Sequence, residues 1–167
     1  MTELVEQTEH EVEHCATVER AAFLWRAPVY FDDLDAMGML HNARYFALTD
    51  RAISAYFESL GRRWELDPHR NPDQHWAVRE QQLTYAAPFR GVGLLDVELA
   101  VIRVGVTSAV YAVRFTTDGV EHARGSRVVI KVDPDTGRPA PWTPSTRAAL
   151  TALMVPGVGA PAAGGPA

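Results

Sequence analysis

Residues 42–60 constrain the fold more than any other stretch. Tyr45, Phe46, Leu48, Ala52, Ile53, Tyr56, Phe57 and Leu60 recur there at three-to-four spacing, which gathers them on one side of a helix. Gly61 stands where a left-handed residue would end it. The apolar side is wide, so the helix must be largely enclosed by other structure. The chain beyond residue 76 is strand-like. Residues 77–86 form one candidate strand, and residues 94–104 alternate Leu95, Val97, Leu99 and Val101 against Asp96 and Glu98, the period of a strand with one buried face. Residues 106–117 and 120–132 flank Asp118-Gly119, a dipeptide whose tolerance of positive φ suits a two-residue hairpin. Residues 23–31, before the helix, also read as a strand. A single apolar helix is buried by such strands only if their sheet curls around it. The expectation is an α+β chain with one long helix wrapped by a curved, mostly antiparallel sheet of about five strands.

The remaining segments are punctuation. Residues 62–75 are polar, contain Pro68 and Pro72, and read as an irregular connection long enough to carry function. Residues 133–137, Asp-Pro-Asp-Thr-Gly, stop the sheet, and residues 143–153 suit a short helix capped by Thr143 or Ser145. Residues 1–21 are Glu-rich and read as a flexible lead-in, residues 22–154 as one domain, and the Gly-, Pro- and Ala-rich residues 155–167 as a disordered tail. The outer face of such a sheet needs a cover, which predicts a homodimer or homotetramer.

Composition excludes several functions. A formal net charge of -5 does not suit a chain that coats nucleic acid or an anionic membrane, since both demand a dense basic surface. Cys15 is the single cysteine and has no internal disulfide partner, which points to a reducing compartment. The first residues are acidic where a signal peptide would be basic and apolar, and no stretch of about 18 residues is continuously apolar. A cytoplasmic protein is expected. His10 and His14 share the four-residue spacing of a helical metal pair, but no further ligands come after them at a suitable spacing, so neither metal nor cofactor is expected. There is no Gly-x-Ser-x-Gly elbow, which leaves a serine hydrolase without its nucleophile.

The chemistry concentrates in residues 29–45, Val-Tyr-Phe-Asp-Asp-Leu-Asp-Ala-Met-Gly-Met-Leu-His-Asn-Ala-Arg-Tyr. An apolar strand, Asp-x-Asp, two residues, Gly, and then a Tyr at the start of a long helix resembles the hotdog-fold acyl-CoA thioesterases, particularly the 4-hydroxybenzoyl-CoA thioesterase type. The resemblance covers residues 23–153 and includes Tyr85-Ala86-Ala87-Pro88 and Arg138-Pro139. It implies that the second aspartate, Asp35, acts on a thioester as nucleophile or general base. It also implies that Gly38 is the motif glycine, that Asn42 begins the helix, and that Tyr45 is the motif tyrosine. By the same analogy Asp50 is a candidate second carboxylate borne by the helix. Many relatives have His directly after the glycine; here Met39 takes that place and the histidine is His41. Where close relatives often have Asn, this chain has Arg44.

Physical chemistry supports a site at this point independently. A thioester carbonyl needs an attacking oxygen and donors for the charge that develops on its own oxygen. A carboxylate beside a helix N-terminus meets both needs, because the first N–H groups of a helix are free and its dipole favours negative charge. Gly38, His41, Asn42 and Tyr45 are the candidates for the oxyanion site and pocket around Asp35, and each residue also has a plainer reading. Asp32, Asp33 and Asp35 are acidic loop residues after a strand, Asn42 is a helix cap, His41 is a surface residue, Gly38 is a positive-φ position and Tyr45 is core. The partner would be an acyl-CoA or an acyl carrier protein, both anionic, so basic residues belong near the mouth. Arg90, Arg124 and Arg127 are the candidates. Two other readings remain at this point: a hydratase or dehydratase of similar thioesters, and a non-catalytic acyl-thioester binding module.

Overall fold

The protein is described from a computed structural model that places residues 21–155. The expectations for most of the lead-in, the tail, Cys15 and the His10/His14 pair lie outside the described residues. In chain order the elements are β1 (Phe23–Val29), α1 (Asn42–Ser59), β2 (Trp76–Tyr85), β3 (Gly93–Val104), β4 (Ser108–Thr117), β5 (Val120–Lys131) and α2 (Pro144–Ala152). The strands form one five-stranded sheet in the order β1-β3-β4-β5-β2. Every pairing in it is antiparallel.

Alternation decides which face meets the helix. Val97, Leu99 and Val101 of β3 pair across to Phe115, Val113 and Tyr111 of β4, and Leu95 to Ala27 of β1; these residues share a buried cluster with Leu48, Ala52 and Ile53 of α1. Burying each large aliphatic side chain contributes about 1.5–3 kcal/mol, which is what holds α1 in the concavity. The face is narrower than the sequence pattern predicts. Leu60 is 49% exposed and Phe46 36%, because the sheet of one chain covers one side of α1 and leaves its flanks open. Thr49 is buried instead, its hydroxyl donating to the Tyr45 carbonyl at 2.9 Å.

Local chemistry sets the boundaries. Asp118 and Gly119 have φ of 51° and 80°, and Thr117 pairs directly with Val120, giving the two-residue hairpin expected of that dipeptide. Leu60 caps the end of α1, and Gly61 comes next at φ 75°. β1 stops earlier than expected, at Val29, because residues 31–33 tighten into a 3₁₀ turn closed by the Asp33 side chain. The open edge of β3 beyond Leu99 is taken by the segment after α2: Val101 N–H donates to Leu153 O at 2.9 Å, and Val101 forms a parallel bridge with Met154. Thr143 caps α2 as expected, accepting from Thr146 N–H. Among the described residues no helix is long and apolar enough to cross a membrane.

Candidate active site

The strand-to-helix connection is held by its own aspartates. Asp33 is 6% exposed; its carboxylate accepts from Tyr30 N–H at 2.9 Å and lies 3.3 Å from Arg44 Nε. Arg44 also donates to Asp32 O at 2.9 Å, and His41 N–H donates to Asp33 O at 3.0 Å. Arg44 thus ties the turn to the first turn of α1, a role that nothing in the sequence pattern signalled.

Asp35 is arranged differently. Its Oδ1 accepts from Met37 N–H at 2.8 Å and Met39 N–H at 3.1 Å, while its own N–H donates to Met39 O at 2.8 Å. Two convergent amides fix one oxygen, and no hydrogen bond to Oδ2 occurs among the described residues. Gly38 turns this loop at φ 70°, a backbone conformation that disfavours any Cβ. Its carbonyl accepts from Gly91 N–H at 2.9 Å, and Leu40 N–H donates to Phe89 O at 2.9 Å, which clips the loop onto residues 89–91.

The helix cap falls one residue earlier than expected. His41 is extended, at φ -61° and ψ 134°, and its Nδ1 accepts from Ala43 N–H. Asn42 is the first helical residue, and its Oδ1 accepts from the same Ala43 N–H at 2.9 Å. Arg44 N–H donates to His41 O at 2.8 Å. The N–H groups of Ala43 and Arg44 are therefore occupied, whereas that of Asn42 has no acceptor among the described residues.

An open cleft of about 390 Å³ lies against this start of α1. One wall is Asp35, Met39, Leu40, His41, Asn42 and Tyr45. The facing wall is Tyr85 at the end of β2 together with Ala86, Ala87 and Pro88 just beyond it. Tyr45 is 2% exposed and meets the rings of Tyr85 and Phe115 edge-to-face at 5.3 and 5.0 Å. Burial, reinforced by Tyr85, pushes its phenol up to about 12, so it stays neutral. The second wall is backed by buried His122, whose ring packs on Phe89 and whose Nδ1 lies 3.2 Å from Ala87 O. The His122 carbonyl accepts from the N–H groups of Ala86 and Ala87.

The structure brings Asp35, His41, Asn42 and Tyr45 around one cleft, with Gly38 shaping the loop. The other candidates lie elsewhere. Arg127 is 3% exposed on the helix-facing side of β5, where it pairs with Asp50 and donates to Gln81 Oε1 at 2.7 Å and Phe46 O at 3.4 Å. A guanidinium enclosed by protein partners is not at a mouth, and its partner Asp50 is engaged in holding it. Arg124 shares the outer sheet face with Arg114, its cross-strand neighbour, and pairs with Glu121 at 2.6 Å. Of the three arginines, Arg90 alone borders the loop, bridging Met39 in an exposed position. Tyr85 is the wall residue whose place sequence reasoning missed; its signal was its position just before Pro88, where β2 ends beside α1. No cluster of three or more His, Cys, Asp or Glu side chains fit for a metal occurs among the described residues.

The model of the thioesterase superfamily matches residues 37–131, more than half of the chain. The chain belongs to the thioesterase superfamily. The match begins just after Asp35, so it covers the cleft's helix and strands but not that aspartate. Solved structures agree on the hotdog fold of this thioesterase. A Pseudomonas aeruginosa protein superposes with a TM-score of 0.71 at 25% identity, over 83% of this chain and 95% of its own. A Thermus thermophilus thioesterase complexed with coenzyme A and Zn superposes at 0.66 with 25% identity, over 81% and 96%. A 1,4-dihydroxy-2-naphthoyl-CoA thioesterase from Synechocystis superposes at 0.66 with 14% identity, over 77% and 95%, a likeness of fold alone. Among curated protein sequences there is no match. The protein is a thioester hydrolase, as the family and its structural neighbours indicate.

Proposed function

We propose that this thioesterase hydrolyses an acyl-CoA to the free acid and CoA, with Asp35 as its catalytic carboxylate, acting as general base or nucleophile. The observation that carries this reading is the fixing of Asp35 Oδ1 by two backbone amides on the wall of a cleft also lined by Asn42, whose N–H has no acceptor among the described residues. A carboxylate so held needs no reorganisation before reaction. In the base route, water oxygen bonds to the thioester carbon while its proton passes to Asp35, and the charge on the carbonyl oxygen is met by Asn42 N–H at the positive end of α1. Collapse breaks the C–S bond, and the proton leaves with the thiol. In the nucleophile route an Asp35 oxygen bonds to the thioester carbon, the C–S bond breaks as the thiolate leaves and takes up a proton, and water then opens the resulting mixed anhydride to the acid and the free Asp35 carboxylate.

CoA rather than a carrier protein is favoured by the neighbour that holds CoA at 25% identity. Arg90, exposed beside the loop, is the phosphate contact in this reading. β2 is an edge strand whose residues 77–80 are exposed, and an unpaired edge favours association, so the active form in this reading is a homodimer or homotetramer. Purified protein given acyl-CoA and acyl-carrier panels should release free thiol and acid from the CoA series without added cofactor. Release from carrier-linked substrates alone would overturn the CoA assignment. No release from either panel would overturn the proposed function.

A further inference from the structure

The second wall of the cleft carries an inference about which acyl groups fit, and it rests on reading that cleft as the thioester site. Among the side chains there, Ala86, Ala87 and Pro88 are small, and Tyr85 is the one bulky group on that wall. It is the last residue of β2 and is 46% exposed. Two contacts restrain it. Its ring meets Tyr45 edge-to-face at 5.3 Å with an interplanar angle of 76°. Its hydroxyl donates to Asn42 O at 3.2 Å, reaching across from the strand wall to the helix wall. Tyr45 in turn rests on Phe115, which is fully buried.

We propose that Tyr85 sets the acyl-size limit of this enzyme. An acyl group whose carbonyl sits between Asp35 and Asn42 N–H extends toward the Tyr45–Tyr85 pair, and this edge-to-face pair closes the way that a long chain would take. Leu40 and Tyr45 are buried apolar residues, so the acyl portion is held by apolar contact, and compact acyl groups are accepted while long linear chains are refused. The packing of its ring on Tyr45, itself resting on Phe115, holds the half-exposed Tyr85 side chain against rotamer exchange, and the hydroxyl contact to Asn42 O only adds to it. An apolar wall discriminates by chain length through the burial of methylenes, each changing the rate constant by roughly fourfold where there is room for it.

The test is kcat/KM across a series of linear acyl-CoA substrates for the wild-type chain, Tyr85→Ala, Tyr85→Phe and Asp35→Asn, with thermal midpoints confirming that each variant is folded. The wild-type profile should peak at short chains and fall beyond. In Tyr85→Ala the peak should move to longer chains, rising by roughly fourfold per methylene admitted. Tyr85→Phe should retain the wild-type limit, because the ring still packs on Tyr45. A Tyr85→Ala profile that peaks where the wild type does, or a wild type that favours long chains, overturns the inference while Asp35-dependent hydrolysis stands. A Tyr85→Phe profile as relaxed as that of Tyr85→Ala also overturns it, since ring bulk would not then be the limit. Hydrolysis unaffected by Asp35→Asn strikes at the proposed function instead.

Discussion

Removing Asp50 separates a structural carboxylate from a catalytic one. Arg127 is enclosed beneath α1, and its guanidinium has Asp50, Gln81 and the Phe46 carbonyl as partners. Asp50→Ala deletes the sole formal charge among them and leaves a buried cation. Breaking a fully buried pair costs about 3–5 kcal/mol, but the Asp50 side chain is 49% exposed, so solvent already screens part of the attraction. A loss of about 2–3 kcal/mol is the expectation. For a chain of this size that lowers the thermal midpoint by roughly 4–12 °C. Arg127→Met keeps the apolar volume and removes the charge that needs a partner, so the double variant should be less destabilised than Asp50→Ala alone. The coupling in such a cycle is expected at about 1–3 kcal/mol, read from urea midpoints at pH 7. The reasoning fails if Asp50→Ala changes stability by less than about 0.5 kcal/mol. It also fails if the variant unfolds normally yet loses turnover, since Asp50 would then be the second carboxylate that family analogy suggested.

Two further outcomes test the frame around the cleft. A Cβ on Gly125 would lie 1.9 Å from the Gln82 carbonyl oxygen, so Gly125→Ala must force β2 and β5 apart; it should cost about 3 kcal/mol or more, and a wild-type denaturant midpoint would contradict the Leu83–Gly125 pairing. Asp73 is desolvated, which alone would raise its carboxyl, but hydrogen bonds from Thr143, Thr146 and Lys131 outweigh that and hold it below the ordinary carboxylate range. Because the folded value is the lower one, its contribution is present above about pH 4 and is lost as pH falls through that folded value. The stability gap between wild type and Asp73→Asn should therefore be widest near pH 7 and narrow towards pH 3. A gap independent of pH would contradict the assignment.

Patterns with a local cause were legible in the sequence. The three-to-four spacing of Leu48, Ala52 and Ile53 gave α1, and Asp118-Gly119 gave the β4–β5 turn, because a period and a positive-φ dipeptide act within a few residues. The Asp-x-Asp-x-x-Gly spacing located the loop for the same reason. The destinations of Asp50 and Arg127 were not legible, since 77 positions separate them and only strand register brings Arg127 under the helix. The face on which Arg124 lies was not legible for the same reason: alternation along β5 puts residue 124 on the outer face and residue 127 on the inner one. Arg44 departs from the family pattern, and its partner Asp33 explains its place once the turn is seen to fold back on α1. Tyr85 became part of the site only when the end of β2 was seen to face Asn42 across the cleft.

The central claim is that Asp35 supplies the base or nucleophile of thioester cleavage. Asp35→Asn retains an Oδ1 that accepts from Met37 and Met39 N–H, so the loop should survive while the carboxylate's basicity is lost. Steady-state hydrolysis of the preferred acyl-CoA is the measurement. A fall in kcat of about 10²–10⁴-fold with KM and thermal midpoint nearly unchanged is the predicted result. A variant that turns over at the wild-type rate would contradict the account.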